Sequence, residues 1–108
     1  MILRGIKIRL CAVAILVPLF FGACQTHPPP DLDFVLTRTA LDAAKAVEAS
    51  KHAPQFWFQA EESFRRAQLH YKKQEWAESQ REFRRSRLAA EKAENAARWI
   101  RLKSGEFL

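Results

Sequence analysis

The sequence predicts an all-α protein, a three-helix antiparallel bundle whose C-terminal helix is the longest. Two observations support this prediction. Between Asp31 and Ser104 there is a single proline, Pro54, and no glycine, so the turn residues that separate the strands of a sheet are missing. Over the same stretch, small and apolar residues recur at spacings of three and four, which is the period of a helix with one buried face.

The first predicted helix runs from Asp31 or Asp33 to Lys51, and either aspartate can cap its N-terminus. It ends there because Pro54 follows closely, and the residue before a proline avoids the helical conformation. Spacings of three and four along this segment define the face that we expect to be buried: Leu32, Leu36, Ala40, Ala43, Val47 and Ser50.

The second and third helices are predicted to pack closely as an antiparallel pair. The second begins at Pro54, which suits a first helical turn, and its buried stripe combines aromatic residues with alanine: Trp57, Ala60, Phe64, Ala67 and Tyr71. The third carries an unbroken seam of mainly small residues: Trp76, Ser79, Phe83, Ser86, Ala90, Ala93, Ala97 and Ile100. Large side chains on one helix can fill the space that small ones leave on the other, so we expect a tight interface.

Two spacing patterns on this pair resemble the hairpin of a tetratricopeptide repeat: A-x3-F-x2-A-x3-Y from Ala60 and W-x2-S-x3-F-x2-S from Trp76. Trp76 stands where that motif has its turn aromatic, while Gln74 and Glu75 occupy the place of its usual turn glycine. The segment 32–104 as a whole resembles a family of bacterial lipoproteins, domain of unknown function 4398. This resemblance implies a helical fold in the cell envelope and no established reaction.

The N-terminal residues resemble the signal peptide and lipobox of bacterial lipoproteins. Three basic residues come first, followed by the apolar run 10–21, which is shorter than the roughly 20 residues that span a bilayer core. The small pair Gly22 and Ala23 then precedes Cys24. The resemblance implies cleavage after Ala23 and lipid attachment to Cys24. The alternative is an ordinary cleaved signal peptide with an incidental cysteine.

These features divide the chain into a lipoprotein signal peptide at 1–23, a lipidated cysteine with a proline-rich spacer at 24–31, a helical domain at 32–104 and a tail at 105–108. No cofactor is expected, apart from the covalent diacylglycerol and N-acyl chain that the resemblance implies on Cys24.

The residue after Cys24 is Gln25 and not aspartate. In this respect the sequence resembles lipoproteins of the outer membrane. The expected location is therefore the cell envelope, on the outer membrane and facing the periplasm. The three consecutive prolines at 28–30 favour an extended spacer that would hold the helices about 20 Å from the headgroups.

Residues suited to catalysis or metal binding are scarce, so we predict that the protein is not an enzyme. His27, His52 and His70 have no partner at metal-ligand spacing. The serines fall on predicted helices or at an end, with no turn that resembles a nucleophile elbow. No glycine-rich phosphate loop exists, because Gly105 is the only glycine after Cys24.

A cluster of basic residues stands out in the third helix: Arg81, Arg84, Arg85 and Arg87. One interpretation is a solvated face whose arginines pair with Glu78, Glu82 and Glu91 at helical spacing. The other is an anion patch for lipopolysaccharide phosphates, peptidoglycan carboxylates or an acidic partner. Nucleic acid is not an expected partner, because export separates the protein from it and no aromatic residue interleaves the arginines.

The C-terminal end of the third helix is expected to overhang the bundle, because that helix is longer than the other two. We expect this segment either to dock a partner, with a homodimer as the simplest case, or to fold back through Gly105. Its apolar candidates for a partner surface are Trp99, Ile100, Leu102 and Phe107.

Taken together, the expected function is that of a non-enzymatic interaction or structural adaptor, tethered to the membrane and bound to an envelope protein. The alternatives are a module that binds peptidoglycan or another anionic envelope polymer, and a pilotin-like chaperone of a secretion system. An uncovered apolar groove between the first helix and the hairpin would favour the adaptor or the chaperone. A contiguous arginine face without such a groove would favour polymer binding.

Overall fold

A computed structural model describes residues 27–105, and these are helical from Asp31 almost to their end. No strand occurs within the described range. The helices are α1 (Asp31–Ala46), α2 (Ala49–His52), α3 (Pro54–Lys72) and α4 (Trp76–Ser104). With 29 residues, α4 is the longest of them. The predictions of an all-α fold and of a long C-terminal helix are confirmed.

The first predicted helix is interrupted in the structure. It ends at Ala46, and the short α2 begins at Ala49. Between them Glu48 has φ 58° and ψ 43°, a left-handed conformation that non-glycine residues adopt rarely. The expected single helix reaching Lys51 is therefore wrong in this detail. Neither Asp31 nor Asp33 caps α1, because both lie inside its first turn, where a negative charge still favours the helix dipole.

The turn between α3 and α4 is tight and also uses a left-handed residue. Gln74 has φ 59° in the place where the tetratricopeptide motif has glycine. His70 Nδ1 lies 2.6 Å from Glu75 Oε2. This contact links the end of α3 to the residue before α4. Pro54 occupies the first turn of α3, as the sequence predicts.

Two serine hydroxyls fix the alignment of α3 against α4. Ser79 Oγ donates a hydrogen bond of 2.9 Å to the carbonyl oxygen of Ala67. Ser86, seven residues later, donates one of 2.6 Å to the carbonyl oxygen of Ala60, seven residues earlier. The two helices therefore run antiparallel, and they approach closely enough for a side chain of α4 to reach the backbone of α3.

The small-residue seam of α4 is buried over most of its length. Its six central positions are no more than 1% exposed: Ser79, Phe83, Ser86, Ala90, Ala93 and Ala97. The two ends depart from the prediction, since Trp76 is half-buried and Ile100 is exposed. The seam therefore forms the centre of the described core, against which the other helices pack.

Helix α1 also packs on α4, and it makes few contacts with α3. Thr37 is buried at this interface, where its hydroxyl lies 2.9 Å from the carbonyl oxygen of Phe83 and 2.6 Å from that of Asp33. The buried face of α1 is rotated from the predicted one: Leu32 and Leu36 are exposed, whereas Thr37 and Ala44 are buried. The expected face was therefore wrong at Leu32 and Leu36, and also at Ser50, which is exposed, but it was right at Val47, which is buried.

Residues 27–30 lie against the helices. His27 Nε2 is 3.0 Å from Gln80 Oε1 on α4, and Pro30 is buried just before the first turn of α1. The described part of the predicted spacer thus runs along the helical domain, and the first helix includes Asp31, which the sequence analysis placed in the spacer.

Candidate interaction surfaces

The three larger helices meet at a cluster of phenylalanine rings. Phe34 of α1 lies 6.0 Å from Phe64 of α3 and 5.6 Å from Phe83 of α4, measured between ring centroids. Phe64 and Phe83 are 5.8 Å apart. These distances are typical of attractive aromatic pairs. The cluster joins α1 to α3 at one level, while the rest of the space between those two helices stays largely open.

A cavity of about 250 Å³ opens between α1 and α3 beside these rings. Phe34, Phe83 and Tyr71 form its apolar wall. Asp31, Gln68 and Lys72 complete the lining and lie on the exposed rim. We call this cavity the aromatic cleft. Its lining is mainly apolar, and its charged groups are those of Asp31 and Lys72.

Tyr71 and Asp31 close one end of the aromatic cleft. The Tyr71 hydroxyl donates a hydrogen bond of 2.8 Å to Asp31 Oδ1, which ties the end of α3 to the start of α1. This hydrogen bond, together with partial desolvation and the negative charge of Asp31, raises the pKa of the Tyr71 phenol above its ordinary value. The same ring packs edge-on against Trp76, with centroids 5.1 Å apart.

A second, more polar opening continues between α1 and α3 on the other side of the Phe34–Phe64 contact. It measures about 330 Å³, and Leu41, Trp57 and Phe64 supply its apolar part. Charged residues surround these three: Arg38, Asp42, Lys45, Glu61 and Arg65. The gap between α1 and α3 is therefore a groove with apolar residues at its base and charged residues of both signs along its edges.

Each arginine of the predicted anion patch has a carboxylate partner. Arg81 pairs with Glu78, one turn earlier in the same helix. The other three pairs are Arg84 Nε–Asp33 Oδ1 at 3.3 Å, Arg85 Nη1–Glu82 Oε1 at 3.0 Å and Arg87 Nε–Glu91 Oε1 at 3.7 Å. The pairing with Glu78, Glu82 and Glu91 follows the helical spacing of the sequence, whereas Asp33 belongs to α1.

The arginines of the predicted patch pair with carboxylates on different helices. Arg84 reaches toward α1, while Arg85 shares Glu82 with Arg66 of α3, whose Nε lies 3.2 Å from Glu82 Oε2. Glu82 is buried between them, with both oxygens paired to guanidinium groups.

Neighbouring charges on α3 follow the same pattern. Arg65 Nη2 lies 2.5 Å from Glu62 Oε1. This hydrogen bond is the main reason that the pKa of the half-buried Glu62 carboxyl is lowered. Desolvation opposes it, and the positive charges of Arg65 and Arg66 lower the pKa further. Both arginines of α3 and the four arginines of the predicted patch on α4 therefore have carboxylate partners within the domain.

The end of α4 projects beyond the core. Ala97 is its last buried residue, so the seven residues that follow extend about 10 Å further. Trp99 is 58% exposed and Leu102 is 61% exposed, and Ile100 is exposed beside them. Lys103 Nζ lies 5.0 Å from the Trp99 ring centroid, within range of a cation–π contact. Phe107, the fourth predicted member of this surface, lies outside the described residues.

The predicted lipid-attachment residue Cys24 and the cleavage-flanking Ala23 also lie outside the described residues. Among residues 27–105, no helix combines the length and hydropathy needed to cross a membrane. Within the same range, histidines, cysteines and carboxylates nowhere gather in a group of three or more that would suit a metal ion.

Comparison with known protein families, with curated proteins and with solved structures finds no match to this chain. The relationship to domain of unknown function 4398 therefore remains a prediction based on the sequence motifs.

Phe34 is the cleft residue that the sequence analysis missed. A usable signal existed, because Phe34, Thr37, Leu41 and Ala44 follow one another at spacings of three, four and three. This series was concealed by the equally regular one through Leu32 and Leu36. Thr37 makes the correct series look less apolar, although its hydroxyl is satisfied by backbone carbonyl groups.

Proposed function

We propose that the protein is a lipid-anchored, non-enzymatic adaptor on the periplasmic side of the outer membrane, which binds an envelope protein through the groove between α1 and α3. The observation that carries this proposal is the aromatic cleft, an open and mainly apolar cavity of about 250 Å³ that the fold itself leaves uncovered. Exposed apolar concavities are typical of surfaces that receive a partner's side chains.

The groove supports an adaptor over a polymer-binding module. Peptidoglycan and lipopolysaccharide present carboxylates, phosphates and sugar hydroxyls, for which unpaired cations are the natural ligands. Arg84 and Arg85, the central members of the predicted anion patch, are instead paired with Asp33 and Glu82. An anionic polymer would have to displace these carboxylates, whereas an apolar peptide segment can enter the cleft without breaking an ion pair.

The architecture that we propose is a three-helix antiparallel bundle built on a tetratricopeptide-like hairpin. The antiparallel hydrogen bonds of Ser79 and Ser86, and the left-handed Gln74 at the turn, support the resemblance. In this architecture α4 is the central helix, with α1 and α3 on two sides of it. The partner groove then lies between the two outer helices, floored by residues such as Phe83.

Site-specific photocrosslinking in cells tests the adaptor. Two exposed glutamines of α3 lie nine residues apart, which places them on opposite faces of the helix. Gln68 is on the rim of the aromatic cleft, and Gln59 lines a groove on the other side. We expect a benzophenone amino acid at Gln68 to capture a discrete envelope protein and the same group at Gln59 to capture none.

The identity of the crosslinked product distinguishes the adaptor from the chaperone and from the polymer-binding module. A secretion-system subunit captured at Gln68 would identify the pilotin-like chaperone, which uses the same kind of cleft. Attachment to peptidoglycan, with no protein captured at Gln68, would contradict the adaptor and favour polymer binding.

The anchor is tested separately with Cys24→Ser. We expect this variant either to keep its signal peptide or to leave the membrane fraction, because the thioether that holds the lipid cannot form. Inhibition of lipoprotein signal peptidase with globomycin should make the wild-type precursor accumulate. A processed Ser variant that stays with membranes through a high-salt wash would contradict lipid anchoring.

A further inference from the structure

We propose that the surface of α1 around Leu32 and Leu36, together with Pro28 and Pro29, rests on the bilayer at the boundary between headgroups and acyl chains. This inference rests on the proposed lipid anchor at Cys24, and it adds which face of the folded domain meets the membrane. The occupant is a zwitterionic phospholipid surface.

The position of His27 limits the distance between the domain and its anchor. His27 is held against α4 by its contact with Gln80, and Pro30 is buried next to it. Only three Cα–Cα steps separate His27 from Cys24, and these span at most about 11 Å. A lipid attached to Cys24 therefore brings the bilayer close to this side of the domain, in contrast to the standoff of about 20 Å expected from a free spacer.

The surface near His27 has the exposed apolar residues that such a contact requires. Leu32 is 71% exposed and Leu36 is 39% exposed, although both occupy positions that looked like core in the sequence. They line an open cleft of about 570 Å³ that also includes the proline run 28–30 and Arg84. Leucines at the edge of a folded domain can insert among headgroups while the charged residues beside them stay in water.

The charges of this surface fit a zwitterionic membrane. Arg84 and Arg87 are the cationic side chains that line the cleft with His27, and the two arginines pair with Asp33 and Glu91. The face therefore offers guanidinium donors to lipid phosphates but carries little net charge. Its contact with the bilayer should depend on the leucines and the anchor, with little dependence on anionic lipids or on salt.

Depth-dependent fluorescence quenching tests this inference with the mature, lipidated protein. Cys24 is blocked by its lipid and Cys11 is removed with the signal peptide, so a single engineered cysteine can carry an environment-sensitive dye. We choose Leu32→Cys as the probe site, with Leu36→Cys as a second site on the same face. Phe58→Cys is the matched control. Phe58 is 66% exposed, and it lines a groove between α3 and α4 that shares no lining residue with the cleft of Leu32 and Leu36.

The proteins are reconstituted into phosphatidylcholine vesicles that contain brominated acyl chains. We expect several-fold stronger quenching at positions 32 and 36 than at position 58, unchanged when salt is raised. Equal quenching at all three positions in protein that floats with the vesicles would overturn the proposed membrane face and leave the anchor intact. Protein that does not float with vesicles would overturn the anchor itself. Dyes at 32 and 36 that brominated lipid does not quench, but that an envelope extract shields, would overturn the inference in favour of a protein partner.

Discussion

Ser86 of α4 donates a hydrogen bond of 2.6 Å to the backbone carbonyl oxygen of Ala60 on α3. Both residues are completely buried. A side chain as short as serine reaches the backbone of another helix only where neither position carries a larger group. The contact therefore explains why α4 has small residues along its seam, and it fixes the alignment of the hairpin on which the proposed groove depends.

Substitutions at Ser86 should separate the contribution of this hydrogen bond to stability from the contribution of close packing. Ser86→Ala removes one hydroxyl and should lower the free energy of unfolding by only about 0.5–1.5 kcal/mol. Ser86→Leu must force the helices apart, and we expect a loss of about 1–3 kcal/mol or more, because a close-packed interface has no room for the added carbons. Urea unfolding followed by circular dichroism measures both values. A Leu variant as stable as the Ala variant would contradict the close approach at this position.

A buried carboxylate should be far more damaging than an exposed one on the same helix. Ala93 is fully buried, so Ala93→Glu should cost several kcal/mol of stability, about the cost of burying an unpaired charge. Asn95→Glu introduces the same group at an exposed position and should change stability by less than about 0.5 kcal/mol. Thermal melts of the two variants give the comparison, and equal melting temperatures would contradict the register of α4.

Asn95 is a better control than its neighbour Glu94. Glu94 lies one step from the seam, a position that on sequence alone predicts a fully solvated side chain. The structure corrects this, because Glu94 is half-buried and its Oε1 lies 2.8 Å from Arg98 Nη2. A substitution at Glu94 would therefore combine the loss of an ion pair with a change in burial.

Tyr71 gives a direct pH test of the contact that closes the aromatic cleft. It is the only tyrosine of the chain, so the near-ultraviolet absorbance of tyrosinate reports its ionisation alone. The hydrogen bond to Asp31 raises its pKa, and we expect Asp31→Asn to bring the pKa back toward the ordinary value of about 10. A titration midpoint that is unchanged by Asp31→Asn would show that the Tyr71–Asp31 contact does not form in solution.

The sign of the accompanying stability change follows from this raised pKa. The folded protein favours the protonated phenol more than the unfolded chain does. The contribution of the contact to folding is therefore fully present below the unfolded pKa of about 10 and is lost as the pH rises through the folded pKa. As the pH rises through that range, the stability difference between the wild type and Asp31→Asn should therefore shrink to the part that comes from Asp31 and the helix dipole. Urea titrations at a series of pH values measure that change.

Truncation after Ala97 should leave the folded domain intact. Ala97 is the last buried residue of α4. The truncation removes exposed side chains and the half-buried Arg101, and the loss of the half-exposed Arg98–Glu94 pair should cost about 0–1 kcal/mol. We expect the helicity per residue and the melting temperature to be nearly unchanged. An unfolded truncated protein would instead assign Trp99 and Ile100 to the core.

The same truncation tests the predicted homodimer. Sedimentation velocity should show that any self-association of the full mature chain disappears when Trp99, Ile100, Leu102 and Phe107 are removed. Self-association that survives truncation would move the interface to another surface.

The regularity of α4 explains why its buried face could be predicted from sequence. The series through Ser79, Phe83 and Ser86 continues at spacings of three and four for seven turns. The other regular series of small residues, through Ala89 and Ala96, shares Ser86 and Ala93 with it and borders the same face. A period repeated this often leaves little freedom in the orientation of the helix. The antiparallel pairing with α3 followed, because a turn of a few residues joins the two helices.

The path of α1 was harder to predict for physical reasons. Its leucines Leu32 and Leu36 are exposed while Thr37 is buried, which reverses the usual relation between hydropathy and burial. Thr37 can be buried because its hydroxyl is satisfied by backbone carbonyl groups. The break at Glu48 has no sequence signal, since glutamate is not a residue that favours the left-handed conformation. The aromatic cleft depends on the path of α1, so its composition could not be derived before Phe34 was placed.

The ion pairs of the candidate surfaces also differ in how far the sequence predicts them. The ion pairing of the arginines could be anticipated for Glu78, Glu82 and Glu91 from helical spacing alone. The pair between Arg84 and Asp33 could not, because it joins residues 51 positions apart through the packing of α1 on α4.

The chemical state of the mature N-terminus is the most direct test of lipid anchoring, because the proposed compartment, anchor and membrane face all depend on Cys24. Mass spectrometry of the tryptic fragments from membrane-purified protein measures it. We expect the first peptide to be Cys24–Arg38, with diacylglycerol on the thiol and an acyl chain on the amine. A first peptide that begins at any other residue, or a Cys24 with a free thiol, would contradict lipid anchoring at Cys24.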